Sequence, residues 1–176
     1  MRSRYLLVIP IVCINFFLSG CSQGWNSQQY EDSDVGFVVD LPGDWIREER
    51  SYPFDISFVE PSKAEVEFPA RVGVQAERIA PFSFDEAIEV LKEGDRKRYT
   101  SLDDFQESRN EYGVRMVIER FFEEVEGSSL DIVHNERYYE VPDYLIHVSF
   151  QHQEGMEMQY DFLLGRVTES LRIADE

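Results

Sequence analysis

The sequence predicts an α+β domain whose sheet is mainly antiparallel and flanked by helices. Three observations predict it. Several runs alternate apolar and polar residues at a period of two, two runs repeat at helical spacing, and the helical runs are too few to stand between every pair of strands.

The elements follow in order. Phe37, Val39 and Leu41 alternate with Val38 and Asp40, and Pro42-Gly43-Asp44 brings turn chemistry before Trp45. The body is therefore expected to open with a hairpin, with Trp45 as a core anchor. Ile56 and Phe58 mark a short strand, and Val72, Val74 and Ala76 another with one wet face. The period then changes. Ser83-Phe84-Asp85-Glu86 has the spacing of a capping box, in which the serine and the glutamate each satisfy a backbone donor at a helix start. Ala87, Ile88 and Leu91 form the apolar stripe of that helix, and Lys92, Arg96, Lys97 and Arg98 lie toward its negative pole. This basic cluster reads as a solvated helix end or as a contact for a lipid phosphate or acidic partner.

Strands return after Asp104. Val114, Met116, Ile118 and Phe122 share one face, Gly127-Ser128-Ser129 turns the chain, and Leu130, Ile132 and Tyr138 lie on the return strand. A turn at Pro142-Asp143 leads to the clearest alternation, Tyr144, Ile146, Val148 and Phe150 on one face and Leu145, His147, Ser149 and Gln151 on the other. Tyr160, Leu163, Leu164, Val167 and Leu171 recur at helical spacing and close the domain.

Ahead of this body lies an address. Arg2 and Arg4 precede an uncharged apolar run, which Leu18-Ser19-Gly20-Cys21 closes. Pro10 and Asn15 interrupt the run, and it falls short of the ~20 residues of a spanning helix. It has the parts of a secretory signal with small residues before the scissile bond. Leu18 to Cys21 resembles a bacterial lipobox, and the resemblance implies recognition of Leu18, Ser19 and Gly20 by a signal peptidase and a diacylglyceryl group on Cys21. The expected organisation is a signal peptide over residues 1–20, lipidated Cys21 with a flexible linker to residue 34, and one domain over 35–176. The polar stretch 22–34 would span roughly 20 Å as a coil and about 45 Å when extended, with Trp25 free to settle at the membrane interface. Ser22 rather than aspartate after the cysteine resembles the pattern that directs lipoproteins to the periplasmic face of the outer membrane in cells with two membranes. Cleavage removes Cys13, leaving no second thiol for a disulfide, a zinc knot or a nucleophile.

The formal net charge is −18 from 35 acids and 17 bases. Nucleic acid and anionic membrane surfaces are disfavoured as partners, because each needs a basic footprint. The acid excess reads as plain solubility, or as a match to a basic protein partner or a divalent cation. Asp103-Asp104 and Glu123-Glu124-Val125-Glu126 lack the alternation and central glycine of an EF-hand.

FVVDLPGDW, residues 37–45, resembles the strand, Pro-Gly turn and tryptophan that open PsbP-like domains, and the run into Glu169-Ser170-Leu171-Arg172-Ile173 is similar to their closing helix and short strand. The resemblance implies an α/β/α sandwich and a non-catalytic accessory role. The group includes a photosystem II extrinsic subunit, a nuclear-transport factor that binds a small GTPase, and small bacterial lipoproteins of the DcrB type. No motif carries over a metal or partner-binding residue.

Residues fit for chemistry do not assemble in the sequence. His147 and His152 differ by five along one strand and point to opposite faces, His134 lies on another strand, and His147 reads as a surface residue. Gly127-Ser128-Ser129 is no nucleophile elbow, no glycine-rich phosphate loop appears, and no carboxylate pair is marked out. The chain has 13 phenylalanines, 9 tyrosines and 2 tryptophans. Tyr138-Tyr139 with Phe121-Phe122 either cover helices on both faces of the sheet or leave an open protein-binding patch rimmed by Glu119, Glu136 and Glu140. The expectation is a lipid-anchored envelope protein, not an enzyme and without a cofactor, acting on a protein partner. The alternative is a binding protein for a small molecule or cation in a pocket between sheet and helix.

Overall fold

The structure is a computed structural model that describes residues 26–48, 53–61, 67–95, 105–124 and 131–174. Leu18 to Cys21, Trp25, Arg96 to Arg98 and the Gly127-Ser128-Ser129 turn lie outside the described residues. The element order is β1 (Ser27–Asp32), β2 (Phe37–Pro42), β3 (Ile46–Glu48), β4 (Ile56–Val59), β5 (Arg71–Arg78), α1 (Phe84–Asp95), β6 (Gln106–Arg109), β7 (Arg115–Glu124), β8 (Asp131–Val141), β9 (Tyr144–Gln153), α2 (Glu157–Ser170) and β10 (Arg172–Ile173). A seven-stranded sheet runs β3-β4-β5-β9-β8-β7-β6, and a three-stranded sheet runs β1-β2-β10. All pairings are antiparallel.

The period-two pattern of the strands sorts the large sheet into two faces. Val72, Val74, Ile146, Val148, Phe150, Tyr139 and Met116 form a core with Tyr160, Val167 and Leu171 at and after α2, and Phe37, Val39 and Leu41 of the small sheet complete it. On the opposite face Val117, Tyr138 and Leu145 pack against Phe84 and Ile88 of α1. One helix therefore covers each face, and burial on both sides explains strands as apolar as β8 and β9.

α1 starts where the capping box places it. The Ser83 N–H donates to Glu86 Oε2 at 2.8 Å, and the Glu86 N–H donates back to Ser83 Oγ at 3.3 Å. The Pro142-Asp143 turn also stands, with Asp143 at φ 64°, a left-handed conformation that aspartate tolerates better than most residues. It joins β8 to β9 in the register Val141 to Tyr144.

Two expectations need correction. Pro42-Gly43-Asp44 does not close a hairpin: β2 is already bonded to β1 on one edge and β10 on the other, so the chain leaves it for β3 in the other sheet. The flexible linker to residue 34 is also too long. Residues 27–32 form β1, in register with β2 from Ser27 opposite Pro42 to Asp32 opposite Phe37, and the Tyr30 ring packs edge-on against Phe37 at 5.9 Å. Alternating exposure along β1 hides its single aromatic contact within an otherwise polar string.

The large sheet has two distinct ends. At one, Arg78 of β5 pairs with Tyr144 of β9; at the other, Arg71 pairs with Gln151. The Gly43 N–H donates to the Asn26 carbonyl at 3.0 Å, and Trp45 packs on Phe150 at 5.9 Å, so the first described residue lies at the Arg71 end. Tyr160, near the start of α2, packs on the same Phe150 at 5.9 Å.

Candidate functional site

The residues expected to rim an open patch are mostly interior. Glu119 is 1% exposed and Glu136 3%, while Tyr138 and Tyr139 are buried on opposite faces of β8. Tyr139 donates its hydroxyl to the Thr168 carbonyl of α2 at 2.8 Å, and Tyr138 lies under α1. Only Glu140 reaches solvent, where it pairs with Arg115 at 3.6 Å. The patch is corrected on a simple ground: Glu119, Glu136 and Tyr138 share the face that α1 shields, and the aromatic pair splits between the two faces.

Glu119 and Glu136 stand directly opposite each other in the β7–β8 register, and the buried acids are answered differently. His147 Nε2 lies 2.5 Å from Glu136 Oε2, His134 Nδ1 lies 3.4 Å from Glu136 Oε1, and Ser149 donates its hydroxyl to Glu136 Oε1 at 2.9 Å. Burial alone would raise this carboxyl, but the positive field of His147 and His134 and their hydrogen bonds outweigh it and hold Glu136 down at about 2. His134 is lowered by burial and raised more by Glu136 and Glu123, the latter at 2.8 Å, and ends above its ordinary value. Among the described residues, no cation stands beside Glu119. Burial first, then the charges of Asp95 and Glu136, push it up to about 7, against the small opposing effect of the Tyr138 hydroxyl at 3.3 Å. The rings reinforce the layer: Phe121 stacks on His134 at 4.5 Å and Tyr138 on His147 at 4.8 Å. His147 is thus a half-buried partner of Glu136 and Tyr138 rather than a freely exposed surface residue. None of the three clefts described below is lined by these groups. The layer holds charge in place and offers no attacking or proton-transferring atom to those clefts.

The surface feature that sequence reasoning missed is a groove of about 700 Å³ beside α1. Ile79, Ala80, Phe82, Ala87, Val90 and Leu145 give it an apolar floor and walls. Phe82 is 64% exposed and Val90 72%. Its other lining residues include Glu77, Asp85, Glu86 and Glu89 against Arg78 alone, so the rim is acidic. The turn that shapes it is pinned, because the Ile79 N–H donates to the Asp143 carbonyl at 3.0 Å. Val90 and Phe82 interrupt no periodicity, and only the position of α1 on the sheet shows that they stand in the open. Two smaller clefts, of about 460 and 400 Å³, lie near Arg109 and Glu140 and near Tyr112 and Phe162. In the second, Arg166 sits over Phe162 at 5.2 Å, and beside it Arg172 sits over Tyr112 at 5.6 Å.

The sequence matches no family model and no curated protein. Its fold does have counterparts among solved structures. The cyanobacterial PsbP protein of Synechocystis sp. PCC 6803, CyanoP, is similar with a TM-score of 0.61 at 15% identity, over 89% of this chain and 98% of that one. The Pseudomonas aeruginosa protein PA94 is similar with a TM-score of 0.58 at 10% identity, over 86% and 99%. The Saccharomyces cerevisiae Ran-binding protein Mog1p is similar with a TM-score of 0.55 at 15% identity, over 86% and 97%. One helix on each face of an antiparallel sheet, with a short late strand beside an early one, gives this chain the PsbP and Mog1-like α+β fold.

Proposed function

We propose that this protein is a lipid-anchored accessory module of the bacterial cell envelope that acts by protein contact and not by catalysis, in the manner of small lipoproteins of the DcrB type. The observation that carries the reading is the acid-rimmed apolar groove beside α1, with Phe82 and Val90 open to solvent. An apolar centre within a charged rim is the anatomy of a docking site, and the sign of the rim selects a basic partner segment. The lipobox-like Leu18 to Cys21 supports the anchor, and among the described residues no helix is long and apolar enough to cross a membrane. In a cell with two membranes Ser22 favours the periplasmic face of the outer membrane.

A photo-crosslinking residue at Val90, introduced into the lipidated protein in its native envelope, tests this. The expected product is one dominant adduct whose crosslinked peptide carries lysine or arginine beside apolar side chains, and which is lost when Glu77 and Glu89 are changed to lysine. Cys21→Ala serves as the untethered control. A second reading, a small-molecule site in the same groove, is favoured by its volume, which lies within the range of ligand pockets. Absence of an adduct together with a melting shift on adding small apolar cations would favour that reading, since a ligand that binds the native state raises its stability.

A further inference from the structure

We infer that the end of the domain carrying Asn26, Ile46 and the start of α2 rests on a zwitterionic bilayer surface, and that the α1 groove is presented at the membrane-distal end to a basic segment standing off the bilayer. The inference rests on the lipid anchor proposed above.

Two independent observations carry it. The first is the length of the tether. Because β1 begins at Ser27, the chain between Cys21 and Asn26 amounts to five peptide units, a reach of at most about 18 Å. β9 is 10 residues long and therefore spans about 30 Å. Asn26 is at the Arg71 end of the sheet, through its bond to Gly43 and the contact of Trp45 with Phe150. The groove is at the opposite end, where Arg78 pairs with Tyr144 and Leu145 forms its floor. A tether shorter than the sheet cannot let the domain turn end over end, because that would lift Asn26 by about 30 Å from the headgroups.

The second is what lies exposed at the tether end. Met158, in the first turn of α2, is 95% exposed, and Ile46, paired with Val59 beside Arg71, is 59% exposed. Large apolar side chains at the point where the tether leaves the domain suit the interfacial zone of a membrane. Glu154 is exposed at that end and Glu157 is already paired with Arg120 at 3.3 Å, leaving no free cation of that pair for an anionic lipid, so the matching surface is zwitterionic rather than anionic.

The test uses the full lipidated chain in phosphatidylcholine vesicles, with a single cysteine introduced at Ile46, Met158 or Val90 and labelled with an environment-sensitive fluorophore. All three positions are exposed, and Cys21 is blocked by its lipid. A nitroxide carried on the lipid headgroup is expected to quench the labels at 46 and 158 at least threefold more than the label at 90. Equal or stronger quenching at 90 would overturn the inference while leaving the anchor intact. A chain that fails to float with the vesicles would instead refute the anchor, and the orientation with it.

Discussion

Glu119 and Glu136 face each other across one rung of the sheet, yet one is held ionised by two histidines and the other is not. Their linkage to stability has opposite signs. Glu136, depressed from 4.5 to about 2, contributes stability that is present above 4.5 and is lost as pH falls toward 2. Glu119, raised from 4.5 to about 7, binds its proton in the folded state, so its contribution is complete below 4.5 and is lost as pH rises through 7. His134, raised above 6.5, likewise contributes fully below 6.5 and loses that contribution as pH rises through its folded value. The melting temperature is therefore expected to be higher at pH 5.5 than at pH 8. Glu119→Gln, which mimics the protonated acid, should flatten that difference without loss at pH 5.5; an unchanged slope would show that Glu119 is not the titrating group. Glu136→Gln strips the buried His134 and the half-buried His147 of the carboxylate they share and should cost about 3 kcal/mol in urea unfolding, against less than about 0.5 kcal/mol for exposed Glu140→Gln. This layer was within reach of the sequence. With the turn at Pro142-Asp143, each step back along one strand meets a step forward along the other, which sets Glu136 opposite Ser149 and beside His147. What the sequence does not show is that α1 shields this face, and burial is what turns adjacent polar residues into a coupled set.

Helix α1 was readable from Ser83 and Glu86, because a capping box is a local bargain between side chain and backbone. Ser83→Ala should destabilise the domain by about 1 kcal/mol by orphaning a first-turn N–H, with the loss read from denaturant midpoints. It should also loosen the groove, since Phe82 directly precedes the cap and Ala87 follows within one turn. β1 was not readable, because its pairing partner lies beyond a turn and its polar residues carry no signal of their own. The Pro-Gly turn misled for a related reason. Turn chemistry reports where the chain bends, whereas β2 was already occupied by the preceding strand β1 on one edge and by the remote β10 on the other.

Across the whole molecule, the apolar pattern was enough to read an antiparallel sheet with a helix on each face, since period and order suffice to assign layers. The second sheet was beyond it, resting as it does on pairing between chain ends. Deleting residues 26–32 should strip β2 of one neighbour and, at about 3 kcal/mol, lower the melting temperature by roughly 10 °C. Deleting 22–25 should leave it unchanged. A flexible linker throughout would make the two deletions equal. The same sheet also dictates when folding can finish. The Asp40 N–H donates to the hydroxyl of Ser170, 130 residues away, and the Ala174 N–H donates to the Gly36 carbonyl. Strand β2 has its second edge filled only by β10, far along the chain, and contacts of such long range form slowly. Closure of the small sheet is therefore expected to be a late step of folding, after the larger sheet has formed from strands nearer to one another in sequence.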